Sequence, residues 1–166
     1  MGGAVTSERS AHAGVHVPPP FVYVVGLAVG WLLDRARPWP ITRDAGSSAS
    51  TLRFAIAVLL AVGYLVVFFS ALAAFRRAHT TLIPNRPATA FVTDGPYRWT
   101  RNPMYVSLAL LYLALALWIN SWWAVLMVVP VLFVINSAVI AREERYLGSA
   151  FPGPYAEYCA RTRRWL

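Results

Sequence analysis

The sequence predicts an all-α integral membrane protein of about four transmembrane helices, followed by a cytoplasmic C-terminal helical segment. Three observations carry that expectation. Hydrophobic residues make up 58% of the 166-residue chain, above the roughly 45–50% usual in soluble domains, and the mean hydropathy is +0.51. Four apolar runs, at approximately residues 17–33, 52–75, 103–119 and 121–140, are separated by segments carrying arginine, proline or tryptophan. All 15 basic residues are arginine, concentrated between and after those runs, and against 7 acidic residues they leave a net charge of +8.

Taken in order, Met1 to His16 is small, polar and rich in Gly and Ala, and is expected to be a flexible tail ahead of a single domain over residues 17–166. Arg9 alone precedes the first apolar stretch and no cleavage motif follows it, so no removable signal peptide is read. Pro18, Pro19 and Pro20 open the first run, Phe21 to Leu33. A spanning helix needs about 17–25 residues, so this one is a short span or a re-entrant segment. Asp34 closes it, either as a solvated helix end or as a partner for Arg35 or Arg37.

Leu52 to Phe75 forms the second run, with Arg53 as the charge at its edge. Ala57, Ala61, Gly63, Ser70, Ala71 and Ala74 are small enough to let a neighbouring helix approach closely. The stretch from Arg76 to Arg101 follows. Its Thr80–Pro84 and Thr89–Thr93 pieces mix β-branched and apolar residues without helical period, which predicts extended backbone along the membrane surface.

Gly95-Pro96 then marks a turn, and Asn102-Pro103 marks a helix start with Asn at the N-cap and Pro at the first helical position. A helix N-terminus flanked by Arg98 and Arg101 suits an anion. The stretch Asp94 to Tyr105 is therefore the expected cofactor-binding loop. Asn120-Ser121 alone separates the third and fourth runs, which forces an antiparallel hairpin with Trp118, Trp122 and Trp123 at the membrane interface. Pro130 should kink the fourth helix, freeing a carbonyl one turn earlier.

Glu143 and Glu144 fall at the expected end of the fourth helix, where the helix dipole is negative and acids are disfavoured. Compensation from Arg98, Arg101 or Arg142 is expected. The pair then belongs to an interfacial ion network or receives a cationic or hydroxyl-bearing ligand. With four spans, Arg9, the arginines of 76–101 and those of 142–164 share one face, against Arg35, Arg37, Arg43 and Arg53 on the other. The positive-inside rule then places both termini and the Asp94–Tyr105 loop in the cytoplasm, and the expected location is a bacterial inner membrane. The positive charge is read as attraction to anionic lipid headgroups, with no nucleic-acid partner. Cys159 is the single cysteine, and His12, His16 and His79 are scattered, so neither a disulfide nor a metal site is expected.

Gly95-Pro96-Tyr97, Arg101-Asn102-Pro103-Met104-Tyr105, the helical hairpin, Glu143-Glu144 with Leu147, then Phe151, Tyr155, Tyr158 and a closing Arg163-Arg164-Trp165 form an ordered set. That set resembles the isoprenylcysteine carboxyl methyltransferase family, itself related to the membrane phospholipid N-methyltransferases, over roughly residues 80 to 166. The resemblance implies an integral membrane methyltransferase that uses S-adenosylmethionine without a soluble dinucleotide-type domain. The chain contains no Gly-x-Gly-x-x-Gly element. The resemblance implies further that the C-terminal segment, residues 141–166, closes a cofactor pocket. Phe91, Val92, Tyr97, Asn102, Pro103, Met104, Tyr105, Glu143 and Glu144 are the cofactor candidates it carries over. Arg101 and Glu144 are the catalytic candidates, with Arg101 nearest the methyl acceptor.

Two positions depart from the family pattern. Many members carry His where this chain has Asn102, and the family's Phe-Gly-x-x-Tyr becomes Phe151-Pro152-Gly153-Pro154-Tyr155. The expected acceptor is hydrophobic or membrane-associated: a carboxylate oriented by Arg101 without need of a base, or an amine or thiol deprotonated by Glu143 or Glu144. Two other readings stay open. One is a membrane reductase holding NADPH phosphates with Arg98, Arg163 and Arg164; the other is a non-enzymatic membrane scaffold or transporter component.

Overall fold

The computed structural model describes residues 18–78 and 92–166. The expected tail Met1 to His16, His79, the Thr80–Pro84 piece, and Phe91 with most of the Thr89–Thr93 piece lie outside the described residues. Within them the architecture is all-α. Helix α1 is Pro19–Ala36, α2 is Ser48–Arg77, α3 is Pro103–Ile119, α4 is Trp122–Ala150 and α5 is Pro152–Arg161. A short 3-10 turn, Gly95–Arg98, precedes α3.

Local rules account for the helix ends. Pro19, Pro103 and Pro152 open α1, α3 and α5 at positions where a missing N–H costs nothing. Ser47 caps α2 by accepting from the Ser50 amide, and Ser121 caps α4 by accepting from the Ala124 amide. Asn120 ends α3 in the left-handed region, at φ 63°, which Asn tolerates better than most residues. The α4 helix is interrupted at Met127, one residue short of a turn before Pro130, and loosens into a π turn at Ile135–Ile140 before tightening again at Ala141.

The expected count of spans is corrected. Among the described residues, two helices rather than four are long and apolar enough to cross a membrane: α2, with 30 residues, and α4, with 29. The α3 helix has 17 residues, or about 25 Å at 1.5 Å per residue, short of a hydrocarbon core of about 30 Å. The α1 helix has 18 residues but includes Pro19, Pro20, Asp34 and Arg35, so its apolar stretch is shorter still. Reading each apolar run as a crossing overcounted the spans. It also cut α4 short, since that helix continues ten residues past the expected end at 140.

Helix α3 lies in the middle, with α2 along one side and α1 and α4 along the other. The small residues Ala57, Ala71 and Ala74 of α2 are buried and Gly63 faces Leu110 of α3, so these lie on the packing face, whereas Ser70, expected beside them, is exposed. The opposite face of α2 exposes Leu59, Val66 and Phe69, as lipid contact requires. On the other side of α3, Tyr23, Tyr112, Ala116, Ala124, Val131, Ile135, Val139 and Ile140 form the largest buried cluster. Close approach of α1 to α4 depends on Gly30, where a Cβ would come within 2.6 Å of the Ala124 Cα.

This layering gives the bundle two polar ends. At one, the α1–α2 connection meets the α3–α4 turn around Asn120. At the other, the end of α2, the start of α3 and the last third of α4 converge with α5 and the C-terminal residues.

Candidate functional site

At the second end, Gly95 adopts φ 61° and turns the chain so that Tyr97 lies against α2. Its ring meets Phe75 edge-on at 5.5 Å, in a cluster with Ala71, Ala74, Val92 and Met104. The Tyr158 hydroxyl of α5 donates to the Tyr97 carbonyl at 2.8 Å, fastening the C-terminal helix over this turn. Burial pushes the phenols of Tyr97 and Tyr158 well above their usual range, so both stay neutral donors at ordinary pH.

The start of α3 is held by the chain's last residues. The Arg101 amide donates to the Arg163 carbonyl at 2.9 Å, beside a parallel bridge from Thr100 to Arg163. The Arg164 carbonyl accepts from Thr100 Oγ1 at 3.1 Å and from Asn102 Nδ2 at 2.9 Å. Asn102 does occupy the N-cap position, but its side chain makes no cap bond. The Arg164 carbonyl takes its amide instead, and the buried Thr100 hydroxyl accepts the Asn102 N–H at 3.2 Å.

The two glutamates are corrected in position. They lie inside α4, which runs on to Ala150, so the unfavourable C-terminal dipole does not act on them as expected. Glu143 Oε1 accepts from the Tyr105 hydroxyl at 2.7 Å. The Tyr105 carbonyl in turn accepts from Tyr23 of α1 at 3.0 Å. Glu144 pairs with Arg101, NH1 to Oε1 at 3.4 Å, and with Arg164, which reaches Oε1 through Nε at 3.1 Å and Oε2 through NH2. Arg101 supplies the expected positive charge, but Arg164 is the second partner and Arg98 stays exposed. Arg101 NH1 also donates to Cys159 Sγ at 2.6 Å, while its buried Nε has no acceptor among the described residues.

The structure thus brings together Arg101, Asn102, Tyr105, Glu143 and Glu144, with Pro103 buried at the first position of α3. Val92, Tyr97 and Met104 form an adjoining apolar patch on α2. Phe91 lies outside the described residues. Arg164, Thr100, Tyr158 and Tyr23 join this cluster although none was named as a cofactor or catalytic candidate for the methyltransferase. Arg164 carried one legible signal, since two adjacent acids entering an apolar environment demand more than one cation.

The donor set fits S-adenosylmethionine. Carboxylates suit its ammonium and ribose hydroxyls, and the patch of Val92, Tyr97 and Met104 suits a purine face. In the same described region no group of His, Cys, Asp and Glu could hold a metal ion.

The family model described as phospholipid methyltransferase matches residues 52–153, more than half of the chain. An uncharacterized protein of Haemophilus influenzae is 48% identical over 63 residues, which cover 38% of this chain and 100% of that protein. The cobalt-zinc-cadmium resistance protein CzcN of Cupriavidus metallidurans is 38% identical over 80 residues, covering 48% of this chain and 37% of that protein. No solved structure matches. The family match takes in α2 from Leu52 onward, the turn at Gly95, all of α3 and α4 with both glutamates, and the first residues of α5. The chain belongs to the phospholipid methyltransferase family, and is a small membrane-associated enzyme dependent on S-adenosylmethionine.

Proposed function

We propose that the protein methylates an apolar, membrane-associated acceptor at the end of the bundle where Glu143 and Glu144 meet the start of α3. One observation carries the reading: adjacent carboxylates of α4 are held by Tyr105 and Arg101, which flank the Asn102-Pro103 helix start. Two long apolar helices with lipid-facing surfaces support a substrate that arrives through the bilayer.

S-adenosylmethionine, when bound, supplies an electrophilic methyl group; the protein's part is to align the acceptor and keep water out. Glu143, Glu144, Asn102 and Tyr105 are the residues we assign to holding the cofactor, with Val92, Tyr97, Pro103 and Met104 as its apolar wall. Arg101 is the group we assign to the acceptor. Its Nε is a buried donor without a partner among the described residues, suited to an anionic oxygen. For an amine or thiol acceptor, Glu143 or Glu144 would take the proton. The NADPH reading loses one of its three arginines, because the Arg164 guanidinium is engaged by Glu144.

We place this end on the cytoplasmic side of a bacterial inner membrane. It gathers the arginines of the last turn of α2, of 98–101 and of 142–164, against Arg35, Arg37, Arg43 and Arg53 at the other end. The first described residues of α1 and the C-terminal residues both lie at this end, so both termini are assigned to the cytoplasm. The test is binding of radiolabelled S-adenosylmethionine to purified protein, with mass spectrometry of membrane lipids from cells with and without it. Saturable binding and a lipid product heavier by one methylene are expected; no saturable binding would refute the reading.

A further inference from the structure

Arg164 lies outside the loop and the glutamate pair that pointed to the site, yet it ties the start of α3 to α4. Its carbonyl accepts from Thr100 and Asn102, and its guanidinium reaches both oxygens of Glu144. Behind it, Asn136 on the π turn accepts from Trp165 Nε1 at 3.2 Å and from Arg164 NH1 at 3.5 Å. Arg101, by contrast, meets Glu144 through one nitrogen that it shares with Cys159. A single contact fixes how far a carboxylate lies from its partner. A two-point fork also fixes the plane of the carboxylate, and with it the direction of the lone pairs left for a ligand.

The C-terminal residues Thr162 to Trp165 act as a strap. Arg163 and Arg164 are bonded to the segment entering α3, and Arg164 and Trp165 to α4, so the fork is delivered to Glu144 only when both elements are in place. We propose that Arg164 is a positioning residue for cofactor binding, acting through Glu144 and held in register by Asn136 and the strap. The inference rests on the assignment of Glu144 to the cofactor.

The test is calorimetric titration of the full chain in lipid nanodiscs with S-adenosylmethionine, for the wild type, Arg164→Gln, Arg164→Lys, Glu144→Gln and the Arg164→Gln/Glu144→Gln double variant. Arg164→Gln is expected to weaken binding about tenfold. Arg164→Lys should lose nearly as much, because it keeps the charge and loses the fork. The double variant should bind no worse than Glu144→Gln alone, since the arginine acts through that carboxylate. Affinity restored by lysine, or losses that add in the double variant, would overturn the proposal. A purely structural role would lower the melting temperature and leave affinity unchanged, which also overturns it. Where Arg164→Gln does not fold, Arg164→Lys carries the same comparison. A wild type that takes up no cofactor defeats the functional reading and this inference with it; a wild type that binds, beside an Arg164→Gln that binds equally well, defeats this inference alone.

Discussion

The two polar ends of the bundle solve the same problem, polar groups at the margin of an apolar core, in different ways. Around Asn120 the solution uses no ion pair among the described residues. Its side chain accepts from the Thr42 amide at 2.9 Å and donates to the Thr42 carbonyl at 2.8 Å, and Asp34 Oδ1 accepts from Ser121 Oγ at 2.9 Å and the Trp39 amide at 3.1 Å. Asp34, half-buried near the end of α1, pairs with neither Arg35 nor Arg37 and serves instead as a bracket between α1 and α4. Arg53, 8% exposed, donates to the Thr42 hydroxyl and the Leu117 and Trp118 carbonyls, with its guanidinium 4.2 Å from the Phe54 ring centre. Its charge rests on the negative end of the α3 dipole.

Around Glu144 the solution is ionic and incomplete. Carboxylates and guanidiniums are paired across elements distant in the chain, and a buried donor of Arg101 lacks an acceptor among the described residues. The difference teaches where to look for chemistry. A closed set of bonds to backbone and uncharged side chains holds helices together, whereas an open set of paired charges retains capacity for a ligand.

Substitutions at each end should therefore separate stability from activity. The largest effect is expected from Glu144→Gln, which should weaken S-adenosylmethionine binding by roughly 10- to 100-fold with little loss of folded protein. Calorimetry beside a thermal melt checks it, and unchanged affinity would remove Glu144 from the site. Arg101→Ala should lower turnover about tenfold or more, with a smaller change in cofactor affinity; equal losses of both would move Arg101 into the cofactor site.

Arg53→Leu should do the reverse, costing about 1–3 kcal/mol of stability by leaving the last carbonyls of α3 without a donor, with cofactor affinity unchanged. A loss of affinity there would break the contrast between the ends. Gly30→Ala should cost about 1–3 kcal/mol by pressing a methyl group against Ala124, again without effect on binding.

Smallest is Tyr158→Phe, which removes the bond to the Tyr97 carbonyl at about 0.5–1.5 kcal/mol. Burial raises this phenol above its ordinary value of 10.0. Its contribution to stability is therefore full below that value and lost as pH rises through the folded-state value. The variant should show a shallower alkaline loss of stability than the wild type, and an identical slope would exclude Tyr158 from that linkage.

Much of the candidate cluster was legible because its motifs are local. Gly95-Pro96, Arg101 to Tyr105 and Glu143-Glu144 are short runs whose residue types announce a turn, a helix start and a charge pair. The number of spans was not, because an apolar run reports composition and not where hydrogen bonding stops. Prolines and charges trim α1, and α4 continues through the charged residues 142–145. The use of Asn102 was half legible: its position at the cap followed from Pro103, but its side chain went to Arg164, 62 residues away.

Sequence alone placed the four apolar helices and the residue types gathered near them, since caps, prolines and apolar runs act over a few neighbouring residues. Tertiary structure decided which arginine faces Glu144 and which carbonyl takes Asn102. Those partners lie 20 and 62 residues apart, and many arginines of equal charge competed for the role. Only the packing of α5 and the strap onto the ends of α3 and α4 selects among them.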